Sequence, residues 1–444
     1  MLAGPLAKLI DARTAELPAA LWAFAYFFCL LSGYYILRPL RDEMGIASGV
    51  ENMQWLFTGT FIAMLLFVPL FGAASARIRR SRLVPAVYAF FVLNILAFWV
   101  LFRLVADPTW LARAFFIWVS VYNLFVISVF WSFMADLFRR DQARRLFGFV
   151  AAGGSAGAIA GPAVAVTLAQ PLGHLNLMLI TAALLALSIV CVSRLTHWAR
   201  VGGQGSQEPE APDRLATREA PMGGGMLAGI RLVLESRYLQ GICLFLLLHT
   251  AIGTFLYFQQ AYVIEEAFDD PAVRTSVFAG IDLTVNSLAI TLQLFLTGRI
   301  ATRLGLALTL ALVPLITVLG LSALTIAPVL PVLVVLQVLR RGGDYGITRP
   351  AREMLYTVVD AESKYKAKNF IDTVVYRGGD AATGWLVAGI IALGAGTAGI
   401  ALAALPFAAL WTWTGFRLGR RFDSTAARTV NSTAVPASDP QGGL

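Results

Sequence analysis

Residues 340–353, RRGGDYGITRPARE, place six charged side chains within fourteen positions, directly after the apolar run LPVLVVLQVL. A second charged stretch, NFIDTVVYRGGD, follows at 369–380. On a helix, the polar side chains of the first stretch share an arc of roughly 220°, and those of the second an arc of about 140°. Guanidinium groups bind carboxylates and phosphates through paired hydrogen bonds. These stretches therefore predict a polar surface suited to an anion.

Charged residues of the first and eighth hydrophobic segments extend this set. Arg341 and Arg352 fall within roughly 20° of each other on the predicted helical face. Asp282 is a candidate proton site. We predict that eleven side chains bind substrate: Arg38, Arg41, Arg340, Arg341, Asp344, Arg349, Arg352, Glu353, Asp372, Arg377 and Asp380.

A simpler hypothesis is that these charges only neutralise one another. Arg377 and Asp380 are three residues apart and Arg340 and Asp344 are four apart, which allows pairing on one helix face. Across the four charged segments, however, seven arginines stand against six acidic residues, and Glu43 would make the numbers equal. This balance favours an anionic solute. The sequence GGDYG (342–346) also predicts a loosened helix that frees backbone groups toward a ligand.

The residue pattern gives little support for a metal site, a nucleotide-hydrolysing site or a nucleic-acid interface. His174, His197 and His249 have no metal-binding spacing, and Cys29, Cys191 and Cys243 fall within apolar segments. The sequence has no phosphate-binding Gly-Lys-Ser/Thr loop. The net charge of +9 is not carried by a basic soluble domain. We therefore predict no enzyme activity, no cofactor or metal, and no nucleic-acid partner.

The elements that carry these residues are membrane spans. Hydrophobic residues make up 58% of the chain and charged residues 14%, with a mean hydropathy of +0.72. Apolar runs of about 20 residues, long enough to cross a bilayer, recur throughout. We predict an all-α membrane protein with twelve transmembrane helices, near 19–40, 54–76, 83–105, 111–137, 146–170, 175–197, 238–264, 273–298, 306–327, 329–357, 369–394 and 397–418.

The chain divides into two halves of six spans. Residues 1–198 form the first half and 237–422 the second, joined by a Gly-, Pro- and Ser-rich cytoplasmic linker at 199–236. Residues 423–444 are predicted to be a disordered cytoplasmic tail. Lys and Arg concentrate in alternate connections, which places both termini in the cytoplasm. The predicted location is the cytoplasmic (inner) membrane, with the protein a monomer in the lipid bilayer.

These features resemble the major facilitator superfamily. GAASARIRR (72–80) and GRIATRLG (298–305) are similar to its loop signature, with Ala76 and Thr302 in place of the expected acid. The fifth span carries GGSAGAIAGP (153–162), whose glycines four apart allow close helix packing. The resemblance implies a major-facilitator-like fold of two six-helix halves with substrate at their interface.

A narrower resemblance is to the ATP/ADP translocases of plastids and intracellular bacteria. It rests on YYILRPLRDEMG (34–45) and on RPAREMLYTVVDAESKYKAKNFIDTVVYRGGD (349–380). Two departures stand out: Asp380 replaces a lysine of that family, and the fourth span lacks its acid between Asp107 and Asp136. The resemblance implies a divergent relative with an anion-lined cavity rather than ATP as cargo.

The leading function is therefore secondary transport of an organic anion, such as a phosphorylated metabolite or a nucleotide-like compound, by alternating access. Two alternatives stay open. One is a proton-coupled exporter of amphipathic compounds, which would depend on Asp282 and tolerate loss of the arginines. The other is a non-transporting membrane scaffold that keeps the fold. The two-helix charged face favours transport, because charge facing lipid would cost several kcal/mol.

Overall fold

The computed structural model describes residues 13, 15–77, 80–201, 226–359, 367–368 and 370–433, and the chain is helical through nearly all of this part. The helices are α1 (Leu17–Ala47), α2 (Met53–Arg77), α3 (Arg80–Leu104), α4 (Thr109–Leu137), α5 (Arg140–Leu172), α6 (Leu177–Val201), α7 (Met226–Glu235), α8 (Arg237–Ala267), α9 (Pro271–Phe295), α10 (Thr297–Ile326), α11 (Leu330–Gly343), α12 (Arg349–Leu355), α13 (Tyr376–Ala392) and α14 (Thr397–Thr433).

Nine helices of the described part are long and apolar enough to cross a membrane: α1, α3–α6, α8–α10 and α14. The predicted second, tenth and eleventh spans are also helical, as α2, α11–α12 and α13. The last two carry the charged stretches, and π turns at Asp344–Thr348 and Ile371–Val375 interrupt their regular winding. The chain is thus a multi-pass helical membrane protein.

The glycine row of the fifth span packs tightly against α1. A Cβ atom at Gly153, Gly157 or Gly161 would lie 2.5–2.6 Å from the carbonyl oxygen of Phe24, Phe28 or Ser32, respectively. Such distances leave no room for any side chain. The predicted close approach of two helices along this row is confirmed, and it fixes α1, which carries Arg38 and Arg41, against α5.

Buried apolar side chains form two main clusters. One is built from α1 and α3–α6 and includes Tyr26, Tyr122 and Phe130. The other is built mostly from α8–α14 and includes Phe255 and Trp411. Between them, α1 and α5 pack on α9, and α2 packs on α13, where Trp385 Nε1 donates to Thr58 Oγ1 at 3.1 Å.

Several boundaries differ from the sequence prediction. The predicted loop GRIATR (298–303) is helical, and the break comes instead at Gly305, whose φ of 72° is a left-handed conformation that suits glycine. Helix α14 continues to Thr433, because the Ala- and Thr-rich start of the predicted tail contains no Pro or Gly to stop it. Most of the linker (202–225) and residues 434–444 lie outside the described residues.

Candidate functional site

The π turn at Asp344–Thr348 shapes the wall that carries most of the charge. A π turn shifts the backbone hydrogen bonds, so nearby carbonyl oxygens need other donors. Gln293 Nε2 donates to the Tyr345 oxygen at 2.9 Å, and Thr297 Oγ1 donates to the Gly346 oxygen at 2.6 Å. The predicted loosening of GGDYG is therefore confirmed. These two freed carbonyls are bonded within the protein by side chains of α9 and α10.

A cavity of about 540 Å³ lies among α1, α2, α4, α5, α8, α9 and α11–α13. Eight of the eleven predicted substrate-binding residues line it: Arg38, Arg41, Arg340, Arg341, Asp344, Arg349, Arg377 and Asp380. We call the last six, on α11–α13 and the π turn, the charged wall. We call the residues contributed by α2, α4 and α5 the neutral wall: Phe57, Thr60, Phe116, Ser120, Asn123, Ile127, Ser155 and Ala158.

Asp344 is the buried centre of the charged wall, 5% exposed. Its carboxylate accepts a hydrogen bond from Arg349 Nε at 3.1 Å, and His249 Nδ1 lies 3.6 Å away. The π turn itself places Asp344 and Arg349 together, five residues apart along the chain. This carboxylate stabilises positive charge that the interior would otherwise disfavour.

Arg340 has no carboxylate within 4.0 Å among the described residues, although its side chain is only 7% exposed. Its Nη2 donates to Gln337 Oε1 at 3.3 Å, and its Nε has no hydrogen-bond partner in that part of the chain. The hypothesised Arg340–Asp344 pair does not form, since Asp344 pairs with Arg349 instead. A buried guanidinium in a cavity wall without an acidic partner is suited to hold an external anion.

Asp282 is shared by two arginines. It accepts a hydrogen bond from Arg341 Nη2 and lies 3.4 Å from Arg38 Nε. Arg38 belongs to α1, whereas Asp282 and Arg341 belong to α9 and α11. The carboxylate, 2% exposed, thus joins the N-terminal and C-terminal helices across the cavity. Its role as a proton site stays a prediction.

The Arg377–Asp380 pair expected from sequence is present, at 3.5 Å. Asp380 also accepts a hydrogen bond from Thr254 Oγ1 at 3.0 Å, which holds the carboxylate toward α8. Arg377 is therefore partly neutralised where it faces the cavity. This arrangement reduces the attraction that Arg377 could exert on a bound anion.

A second cavity of about 450 Å³ adjoins the first and shares His249, Arg349, Tyr376 and Arg377 with it. Arg352 and Asp372, 3.7 Å apart, line only this cavity. Glu353 lines neither and pairs with Lys368 at 2.5 Å. The expected shared face of Arg341 and Arg352 is wrong, because the π turn between them changes the rotation per residue and sends them to different cavities.

Buried polar contacts join the helices where α1 ends. Arg274 donates two hydrogen bonds of 2.8 Å to the fully buried Glu43, linking α9 to α1. Beside it, Asp42 accepts from Arg41 at 2.5 Å and from Tyr257 at 2.8 Å. These contacts tie α1 to α8 and α9 beside the main cavity.

The charge balance of the main cavity is positive. Six arginines line it, against Asp42, Asp344 and Asp380 in the lining and Asp282 bonded to two of the arginines. With His249 neutral, six minus four leaves two positive charges. The surplus resides at Arg340, which has no carboxylate partner, and at the pair Arg38 and Arg341, which share one carboxylate.

Residues 20–352, three quarters of the chain, match the Major Facilitator Superfamily. The chain belongs to the major facilitator superfamily. It is a membrane transporter of that fold. No curated protein sequence matches it significantly.

Solved structures agree with the superfamily fold. The nucleoside transporter NupG is 14% identical with a TM-score of 0.61, covering 93% of this chain and 99% of its own. A bacterial homologue of the human lysosomal transporter Spinster is 14% identical with a TM-score of 0.62 and the same coverage. A bacterial homologue of the iron transporter ferroportin is 12% identical with a TM-score of 0.64, covering 91% and 99%. At these identities the likeness shows the fold alone.

Within this superfamily fold, the cavity includes residues that sequence reasoning missed. His249, which has no metal-binding spacing in the sequence, lines both cavities. Thr60 and Asn123 lie in largely apolar spans, and Gln293 lies outside the charged stretches. The only signal for them was a lone polar side chain in an apolar helix, which many buried residues share.

Proposed function

We propose that this superfamily member is a secondary transporter of an organic anion, which it carries by alternating access between two six-helix halves with twelve spans in all. In this proposal the ion pair of Glu43 with Arg274, which links α1 to α9, belongs to one of the two gates. The anion binds in the main cavity between the halves. This proposal keeps the phosphorylated metabolites as the leading cargo class.

The observation that carries the proposal is Arg340. Burying a guanidinium without a counter-charge is costly, so a protein that keeps one in a cavity wall gains when an anion enters. Arg38 and Arg341, which share Asp282, supply a second excess charge in the same cavity. Two excess charges suit an anion of one or two negative charges better than a polyphosphate.

A proton-coupled exporter of amphipathic compounds and a scaffold are less well supported. An exporter of that kind would have no use for six arginines, and a scaffold would gain nothing from a polar cavity of this size. Asp282 supports proton coupling less than the sequence suggested, since its bonds to Arg38 and Arg341 give it a bridging position.

The test uses purified full-length protein and its thermal unfolding in the presence of inorganic phosphate, sugar phosphates, nucleotides and dicarboxylates. At least one anion is expected to raise the Tm, and Arg340→Gln should weaken its binding about 10- to 100-fold, the worth of a charged hydrogen bond. Arg340→Lys should restore binding in part, because lysine keeps the charge but not the two-pronged geometry.

The matched control is Arg231→Gln, which removes one exposed arginine that pairs with Glu235 far from the cavity lining. It should leave anion binding unchanged. Equal binding by Arg340→Gln and the unmodified protein, or no response to any anion, would refute the proposal.

A further inference from the structure

Buried polar atoms without a hydrogen-bond partner are concentrated at the two cavities. Of the sixteen such side-chain atoms in the described residues, eight belong to residues that line one or both cavities. Buried polar groups are normally satisfied, because each unsatisfied one costs about 1–3 kcal/mol. These atoms are covered in the structure, so a side chain that lines a cavity gains a hydrogen bond if it turns its unpaired atom toward a ligand.

Two of these groups lie on the neutral wall, Thr60 Oγ1 on α2 and Asn123 Oδ1 on α4. Thr60 is 5% exposed. Their neighbours behave differently: Thr58 Oγ1 donates to the Gln54 carbonyl at 2.8 Å and Ser120 Oγ to the Phe116 carbonyl at 3.1 Å. Hydroxyls on these helices thus bond to their own backbone where nothing else is offered, and Thr60 does not.

The chemistry of this wall differs from that of the arginines. A hydroxyl and a carboxamide both donate and accept hydrogen bonds but carry no charge. They match hydroxyl, amide or ring-nitrogen groups of a ligand. Phe57 and Phe116 flank them in the lining and offer apolar contact to a ring or carbon chain. Such a surface recognises the uncharged body of a molecule.

We propose that Thr60 and Asn123 form a second subsite, which binds the uncharged, hydrogen-bonding body of the cargo while its anionic group lies at Arg340. This inference rests on the proposed function and defines its substrate class. A phosphomonoester carries a charge of about −1.5 to −2 at neutral pH, close to the surplus of two in the cavity. The cargo is a hydroxylated monophosphate ester.

The experiment measures the dissociation constants of three phosphomonoesters by thermal unfolding of the full-length protein. Glucose 6-phosphate and uridine 5′-monophosphate carry hydrogen-bonding bodies, and phenyl phosphate has a body without hydroxyl or amide groups. The unmodified protein should bind one of the first two at least tenfold more tightly than phenyl phosphate. Thr60→Val and Asn123→Leu should each reduce that preference about fivefold or more, with binding of phenyl phosphate nearly unchanged.

Matched controls are Thr317→Val, a buried threonine bonded to its own helix at Val313, and Asn94→Leu, an exposed asparagine on α3. Neither should change the preference. Arg340→Gln should weaken all three esters together, which separates the two subsites.

Two outcomes would overturn the second subsite. One is a preference that Thr60→Val and Asn123→Leu leave intact. The other is an unmodified protein that binds no hydroxylated ester more tightly than phenyl phosphate. In either case the proposed function is tested separately. If Arg340→Gln weakens the binding of another anion, the proposed function stands. If Arg340→Gln weakens the binding of no anion, the proposed function is refuted.

Discussion

The two walls of the main cavity differ in both charge and backbone. The neutral wall is carried by α2, α4 and α5, regular helices with no charged side chain in the lining. The charged wall is carried by α11–α13, where both helical segments contain a π turn. Charge and irregular winding occur together, because a π turn re-aims side chains that a regular helix would place elsewhere.

This difference separates two tasks of recognition. On the charged wall, Asp344 and Asp380 offset part of the arginine charge, so the wall attracts an anion less strongly than the arginines alone would. On the neutral wall, the proposed subsite of Thr60 and Asn123 adds selectivity without adding charge. Many charged side chains are tolerated within membrane spans only where they face such a cavity and are mostly paired.

The largest expected effect comes from removing the carboxylate at the centre of the charged wall. Asp344→Asn leaves Arg349 without its carboxylate partner and removes one negative charge from the charged wall. Breaking a buried ion pair costs about 3–5 kcal/mol, and the half-exposed Arg349 brings the expected loss to about 3 kcal/mol. Thermal unfolding of the purified protein should show a lower Tm, with anion addition recovering part of the loss.

The comparison variant is Glu353→Gln, on the same segment but nearly half-exposed and outside both cavities. Its pair with Lys368 should contribute less than about 1 kcal/mol, as exposed pairs do. Equal destabilisation by the two variants would show that the charged wall has no special dependence on Asp344.

The fold was largely predictable from the sequence, and the site only in part. Long apolar runs predicted the helices, and Gly153, Gly157 and Gly161 predicted the α1–α5 contact, because both depend on local composition. The partners of the charges were not predictable in the same way. Asp344 pairs with Arg349 and not Arg340, and Arg352 lies in the second cavity, since a π turn alters the angle that a regular helix would give.

The contacts from distant parts of the chain were also beyond the sequence. The Glu43–Arg274 pair joins residues 231 positions apart, and the Arg38–Asp282 pair joins residues on α1 and α9. Arg274 lies outside the charged segments, although Glu43 directly follows Arg41 and Asp42. Such contacts depend on how the helices pack, which composition and periodicity do not specify.

A smaller effect is expected at Asp380, which pairs with Arg377 on the charged wall. Asp380→Lys changes the local charge by two units, and each unit is worth roughly 3 kcal/mol against a phosphate at about 6 Å, before solvent screening. A net gain of about a hundredfold in affinity for ATP is expected. Asp380→Asn, which removes one unit, should give about half the free-energy change.

Exchange of labelled ATP by protein in liposomes measures this. The unmodified protein should exchange ATP poorly and Asp380→Lys should exchange it well. Robust ATP/ADP exchange by the unmodified protein would contradict the interpretation that Asp380, bonded to Arg377 and Thr254, offsets part of the arginine charge.

The smallest expected effect tests whether the π turn positions the charged wall. Gly346 lies within the turn against α9, and a Cβ there would be 2.7 Å from Leu292 Cβ and 3.3 Å from the Ala289 oxygen. Gly346→Ala should therefore cost about 1–2 kcal/mol through overpacking, in spite of the better helix propensity of alanine. Gly280→Ala, on α9 with no atom within 4 Å of the new Cβ, should be neutral or stabilising by up to about 1 kcal/mol.

Because displacement of the turn would also move Asp344 and Arg349, only Gly346→Ala should weaken anion binding in thermal-shift titrations. Unchanged binding in a destabilised Gly346→Ala protein would show that the π turn contributes packing and not the placement of charge.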